Sequence, residues 1–213
     1  MLTIYGVYRS RASRNIWLAD ELGLKWKHVP VIQANRVKDP LAADAPLNTA
    51  SAAFLNVNPG GQIPSIDDDG FVMHQSLAIN LYLARKHGKG LWPATVEGEG
   101  LAYQWSFFAV TEIDPDINTW AANAIVLPED KRDPAKAQAA LEKLQRPLAV
   151  VDAALAHRPY LAGGAFTVAD LNLAAALFRA RRMDHAARPN LARWLADCFS
   201  RPAARRAWAM RGE

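Results

Sequence analysis

The chain has 213 residues, 51% hydrophobic and 22% charged, with a formal net charge of +4. That balance belongs to a globular protein and excludes a disordered one, and the length allows one large domain or two smaller ones with workable cores. No apolar run approaches the roughly 20 residues that span a bilayer, so no membrane helix is predicted.

The opening MLTIYGVYRS lacks the basic start, long apolar stretch and cleavage site of a signal peptide. Residues 2–5 are predicted to form the first strand, and a cytoplasmic location is expected. A Ser/Arg-rich turn from Arg9 to Ser13 leads into a helix over about 13–22, stopped by Gly23. Residues 25–31 alternate as a strand that ends near Pro30. The stretch 33–50 has little periodicity and is predicted to be loop with a helical turn. Short apolar runs at 63–66 and 71–73 flank Asp67-Asp68-Asp69-Gly70, which signals a hairpin. Ser76 is predicted to cap a helix that runs to about His87 and stops at Gly88. A strand–helix–strand start followed by a hairpin gives a small mixed sheet with helices.

Beyond Gly88–Pro93 the strand signals end. Residues 96–125 are predicted to be helical, with a break near Asp114-Pro115. Asp133-Pro134 opens a long helix with a regular apolar stripe, which Pro147 should kink. Thr167-Val168-Ala169-Asp170 has the form of a capping box, and Pro189 begins a further helix with Leu191, Trp194, Leu195 and Phe199 on one face. The domains expected are 1–85, a linker at 86–94, and an all-helical 95–213. Cys198 is the only cysteine, so neither an internal disulfide nor a CxxC pair can form, and its apolar helix suggests a small buried hydrophobe. Nine late arginines, from Arg179 to Arg211, face only Asp184, Asp197 and Glu213. No nucleic-acid motif accompanies them; they are predicted to be a solvated helix surface, and nucleic-acid binding is not expected.

Three features of the first domain can carry chemistry. Tyr5 to Arg14 places Ser10 and Ser13 between a strand and a helix N-terminus, where an anion is favoured; a plain N-cap serine would look the same. Asn58-Pro59-Gly60-Gly61-Gln62-Ile63-Pro64 ends in an X-Pro bond which, if cis, leaves the Ile63 backbone to pair with an extended peptide; a trans proline at a strand start is the ordinary alternative. Gln75-Ser76 stands at a helix start that can grip a carboxylate, or that serine is simply a cap.

In this order and spacing, the three features resemble the N-terminal domain of the cytosolic glutathione transferases, and YLAGGAFTVADLNLA at 160–174 resembles that family's helical capping-box segment. The resemblance covers nearly the whole chain and is weakest over 33–50. It implies an α/β thioredoxin-like first domain, an all-α second domain, a homodimer, and glutathione as co-substrate with no cofactor and no metal. In the serine-type classes, such as theta and delta, a serine after the first strand stabilises the glutathione thiolate, and Ser10 matches that place. Tyr5 or Tyr8, as in the tyrosine-type classes, and Ser13 are the rivals. The resemblance assigns the cysteinyl backbone to Ile63 beside a cis Pro64, with Gln62 adjacent, and the γ-glutamyl carboxylate to Gln75 and Ser76.

Two departures narrow the activity. Ser10-Arg11-Ala12 stands where zeta-class isomerases have Ser-Ser-Cys, and no cysteine occupies the active position of the beta and omega types. The loop around Asn48, Thr49 and Ser51 is neutral where relatives use basic side chains for the glycine carboxylate, which leaves Arg11, Arg36 or Lys38. Tyr8, Arg11, Tyr103, Trp105, Phe108 and Trp120 are the expected walls for a small hydrophobic electrophile, although aromatics at helical spacing equally suit a core. The alternatives are a non-catalytic ligand carrier or interaction protein, and a glutathione-dependent isomerase, dehalogenase or peroxidase.

Overall fold

The alternation of LTIY puts Leu2 and Ile4 on one face of a first strand, where both are buried, and leaves Thr3 and Tyr5 on the other. The computed structural model describes residues 1–212. They form two compact units, Met1–Lys89 with the chain from Arg201 onward, and Gly90–Ser200.

In the first unit, β1 (Leu2–Tyr5) is followed by α1 (Ala12–Glu21) and β2 (Trp26–Val29), which pairs parallel with β1. After a short 3₁₀ turn at Ala34–Arg36 and the single-turn α2 (Ala52–Leu55) come β3 (Ser65–Asp68) and β4 (Phe71–His74), both paired antiparallel. The strand order is β2-β1-β3-β4. Asp69 and Gly70, with φ of 53° and 91°, make the tight turn that the Asp-Gly signal predicts. α3 (Ser76–His87) packs with α1 on the sheet, and Ile4, Ile16, Leu18, Ile66, Ile79 and Leu83 are fully or almost fully buried.

The expected domain 95–213 leaves no place in the first unit for the chain's last helix. That helix, α9 (Pro202–Arg211), packs on α1. Proline opens it, Gly212 in the left-handed region closes it, and Ala203, Ala204, Ala207 and Trp208 are its buried face. The rings of Trp17 and Trp208 meet in a T-shaped arrangement, with centroids 5.4 Å apart.

The second unit is all helical: α4 (Val96–Phe108), α5 (Asp114–Ala121), α6 (Pro134–Ala154), α7 (Val168–Ala176) and α8 (Pro189–Ser200). The predicted break at Asp114-Pro115 does not occur. A π-helical turn, Ala109–Ile113, joins α4 to α5, and the Asp114 N–H bonds to Ala109 C=O, five residues back. The wider turn lets the helix pass a proline that has no N–H to give. Every residue of α7 is buried, and its Thr167–Asp170 capping box is formed. Among the described residues no helix is long and apolar enough to cross a membrane.

Candidate functional site

Gly6, where the chain leaves β1, has a φ of 136°, and a Cβ there would stand 3.1 Å from Ala12 Cβ and 3.2 Å from Ile63 Cβ. Its missing side chain lets the β1–α1 turn close against the NPGGQIP segment. His28 braces the same turn, its Nε2 lying 2.7 Å from Gly6 C=O, and the Tyr8 ring stacks on the imidazole at 4.2 Å.

Ser10 is buried at the entrance to α1. Its hydroxyl donates to Val7 C=O at 2.6 Å and accepts the Ala12 N–H at 3.1 Å, so it caps the turn as well as facing the helix end. Arg11 occupies the formal cap position without a side-chain cap bond and is exposed. Ser13 is bound into the frame, for its Oγ donates to Ser10 C=O at 2.9 Å and accepts from Arg211 Nη1 at 3.2 Å. The Tyr5 ring lies toward Phe54 of α2 at 6.3 Å; burial first, and the charge of Asp67 second, push its phenol pKa up.

The NPGGQIP segment is folded around the side chain of Asn58. Its Nδ2 donates to Gln62 C=O at 2.7 Å and Ser65 Oγ at 3.2 Å, and its Oδ1 accepts the Gly60 N–H at 2.9 Å. The Ile63-Pro64 bond is cis, and among the described residues no hydrogen bond engages the Ile63 backbone. Gln62 is exposed. Gly61 lies so close to the neutral loop that a Cβ there would come within 2.9 Å of Thr49 C=O. Arg36 and Lys38 of the 33–50 stretch are exposed.

Ser76 does not cap α3; it is the helix's first residue. Gln75 holds the cap position with no side-chain cap bond, at φ 71° and ψ 105°, a conformation that residues with a side chain rarely adopt. Ser76 is buried and tied to α1: Arg14 Nη1 donates to its Oγ at 3.4 Å, and Asn15 Nδ2 to its C=O at 2.8 Å. The three segments singled out in the sequence therefore meet, with Gly6 against Ile63 and α1 against Ser76. The N-terminal ends of α1 and α3 give this place a positive potential suited to an anionic, extended peptide. Among the described residues no group of three or more His, Cys, Asp or Glu could hold a metal ion.

The helical residues expected as electrophile walls do not share one setting. Trp105 is buried in the core, its ring edge-on to half-buried Phe108 at 5.3 Å. Tyr103 is exposed, two residues and so about 200° around the helix from Trp105, with its ring near Trp92. Trp120 is buried and lines a separate cavity of about 380 Å³ with Asn123, Arg132 and Leu141.

Sequence reading missed Arg211, which it grouped with solvated arginines. The side chain is 7% exposed, and Nη1 donates to Ser10 C=O at 2.6 Å. The stripe Ala203, Ala204, Ala207, Trp208, Arg211 has helical periodicity, and extending it by one more turn would have marked Arg211 as inward-facing. Glu213, counted with the same charged stretch, lies outside the described residues.

Comparison with known proteins gives a consistent result. The family described as "Glutathione S-transferase, N-terminal domain" matches residues 9–86, and "Glutathione S-transferase, C-terminal domain" matches 115–202. Glutathione S-transferase 3 of Zea mays is 33% identical, over 95% of this chain and 90% of that protein. Human elongation factor 1-gamma is 29% identical over 70% of this chain but only 34% of its own length. Among solved structures, the glutathione-bound theta class glutathione S-transferase from Xanthomonas axonopodis pv. citri superposes with a TM-score of 0.84 at 28% identity, covering 97% of this chain and 96% of that one.

Proposed function

Because this chain belongs to the glutathione S-transferase family, we propose that it is a glutathione transferase, binding the tripeptide on its first unit and adding the sulfur to a small hydrophobic electrophile. The observation that carries this reading is the meeting of three segments far apart in sequence, through the Gly6–Ile63 approach and the Arg14 and Asn15 hydrogen bonds to Ser76. Ile63 receives the cysteinyl backbone beside Pro64, and Gln62 borders it. Gln75 and Ser76 hold the γ-glutamyl carboxylate at the positive end of α3. The glycine carboxylate falls to Arg11, Arg36 or Lys38. The sulfur then lies at the entrance to α1, where Ser10 donates to it.

The energies decide how much Ser10 can do. Lowering a thiol pKa from about 8.5 to about 6.5 takes about 2.7 kcal/mol of preference for the thiolate. A hydrogen bond to a charged acceptor contributes about 1.5–3 kcal/mol, but Ser10 must first leave Val7 C=O, which costs about 0.5–1.5 kcal/mol. The helix end adds about 0.3–1 kcal/mol, and up to about 2 when partly buried. Serine and helix end must act together.

A homodimer is supported by an exposed apolar stripe on the helices of the second unit, Val96, Tyr103, Phe107 and Val110, and by Phe71 and Val72 exposed on the edge strand β4. The reaction as proposed uses glutathione as co-substrate and needs no cofactor, and we place it in the cytoplasm. The test is calorimetry with glutathione while thiolate absorbance is followed across pH. Binding with a depressed thiol pKa supports the transferase. No binding at millimolar glutathione overturns it.

One observation favours a second reading. The Ser10 hydroxyl hydrogen is already engaged by Val7, as a purely structural serine's would be. Glutathione binding with an ordinary thiol pKa would mark the chain as a ligand carrier or interaction protein.

A further inference from the structure

The turn between β1 and α1 is held from β2 on both sides of one residue. Gly6 donates its N–H to Val29 C=O at 3.0 Å, and its own C=O lies 2.7 Å from His28 Nε2. A carbonyl oxygen only accepts, so Nε2 carries the hydrogen of that bond. Two residues earlier, and so on the same face of β2, Trp26 meets the imidazole in a T-shaped pair with centroids 6.3 Å apart. The Trp26 indole N–H donates to Asp20 of α1 at 3.1 Å. The His28 ring is therefore fixed by the turn on one side and, through Trp26, by α1 on the other.

What this fixed ring holds is Tyr8. The two rings stack with centroids 4.2 Å apart and planes 23° from parallel. Among the described residues Tyr8 meets no other aromatic ring, its hydroxyl makes no hydrogen bond, and the residue is half-buried. The imidazole covers one face of the phenol ring and sets the direction of the other. Tyr8 stands two residues before Ser10, in the turn where the glutathione sulfur is placed above. A flat π surface held there favours offset stacking of a flat, electron-poor ring over an aliphatic group.

We propose that His28 is a positioning residue that fits this site to planar aromatic electrophiles: its ring sets Tyr8 as a stacking wall, and its Nε2 holds the Gly6 turn that closes on Ile63. This rests on the reading of the first unit as the glutathione site. His28 acts through Tyr8 and Gly6, without touching either substrate.

The two contacts can be cut separately. His28→Gln keeps an N–H for Gly6 and removes the ring, whereas His28→Phe keeps the ring and removes the N–H. Calorimetry on the full chain compares glutathione, S-methylglutathione and S-(2,4-dinitrophenyl)glutathione. The last is the product formed when the thiolate sulfur bonds to the ring carbon of 1-chloro-2,4-dinitrobenzene and chloride leaves with the C–Cl electron pair. Wild type is expected to bind the dinitrophenyl conjugate about tenfold more tightly than S-methylglutathione. In His28→Gln that preference should fall below about threefold, with glutathione affinity within about twofold of wild type. His28→Phe should keep the preference and weaken all three ligands alike, by about threefold to tenfold, the contribution of one neutral hydrogen bond. Tyr8→Leu should lose the preference as His28→Gln does, and it carries the same expectation should His28→Gln not fold. A preference that survives either variant overturns the inference. So does a parallel loss of both quantities in both His28 variants, the mark of a merely structural residue. A wild-type protein that binds glutathione and shows no preference for the dinitrophenyl ring also overturns it. Failure of the wild type to bind glutathione at all instead overturns the transferase reading, a result distinct from these.

Discussion

Trp194 donates its indole N–H to Asp170 at 2.9 Å, joining α8 to the carboxylate that opens α7. The same carboxylate accepts the Leu161 N–H at 2.8 Å, the Thr167 N–H at 2.9 Å and the Thr167 hydroxyl at 3.2 Å. Burial pushes the Asp170 pKa up, against these four donors, which favour the charged form. Asp170→Ala strands several buried donors at once, each worth about 1–3 kcal/mol. It is expected to lower stability by about 3–5 kcal/mol in urea unfolding, with Asp170→Asn in between. A loss below about 1 kcal/mol would contradict the role given to this carboxylate.

Ser10→Ala removes the hydroxyl that the proposed reaction has donating to the glutathione sulfur. Turnover is expected to fall by about one to two orders of magnitude, matching a charge-assisted hydrogen bond of about 1.5–3 kcal/mol. The affinity for glutathione should change less than about threefold, and Ser10→Thr should keep part of the rate. Identical thiolate titration curves for wild type and Ser10→Ala would remove the residue from the mechanism.

Ser76→Ala separates binding from chemistry. The hydroxyl that Arg14 approaches is assigned to the γ-glutamyl carboxylate, far along the tripeptide from the sulfur. Its loss is expected to raise the KM for glutathione about tenfold, the worth of one such hydrogen bond, and to leave kcat nearly unchanged. A fall in kcat without a change in KM would contradict the assignment.

Asp68 gives the stability a pH signature. Burial raises its pKa, but hydrogen bonds from Lys86 Nζ at 2.6 Å and Tyr82 Oη at 2.9 Å outweigh this and leave the carboxyl below its ordinary value. A folded pKa below the unfolded one, about 3.9, contributes stability that is present above that pH and is lost as pH falls through the folded value. Asp68→Asn should therefore cost stability at pH 7, and the cost should shrink steadily below about pH 4. Urea midpoints of both proteins across pH check this, and a constant difference would argue against it.

Gly6→Ala tests the closure of the site. The new Cβ would crowd Ala12 and Ile63 at a φ of 136° that alanine does not favour. A loss of about 1–3 kcal/mol in stability is expected, together with weaker glutathione binding, because the Ile63 backbone shifts away. Calorimetry and urea unfolding on one preparation measure both.

Much of the fold was legible where local chemistry and tertiary structure agree. Asp69-Gly70 predicts its tight turn because only residues tolerant of positive φ fit there, and Thr167 with Asp170 predicts the start of α7. The helix across Asp114-Pro115 was not legible, because a proline marks a break unless a π turn absorbs the missing N–H, and nothing local announces one. The meeting of the three segments could be reached only through the resemblance, since each alone is an ordinary turn, proline or helix start. Ser76 lies one residue inside its helix and not at the cap, a distinction smaller than the uncertainty of any boundary read from sequence. Arg211 was missed because its role depends on where α9 docks, and charge alone pointed it outward.

The docking of α9 on α1 also sets an order of assembly. The first unit is translated first, yet its closing helix emerges only after all of Gly90–Ser200 has been made. At about 5–20 residues per second that is a wait of roughly 5–20 s, during which the face of α1 that Trp208 covers stays bare. The proposed glutathione site is thus begun before Gly90–Ser200 is made and completed after it, so a nascent chain stalled before Arg201 would carry the tripeptide's cradle without the arginine beneath it.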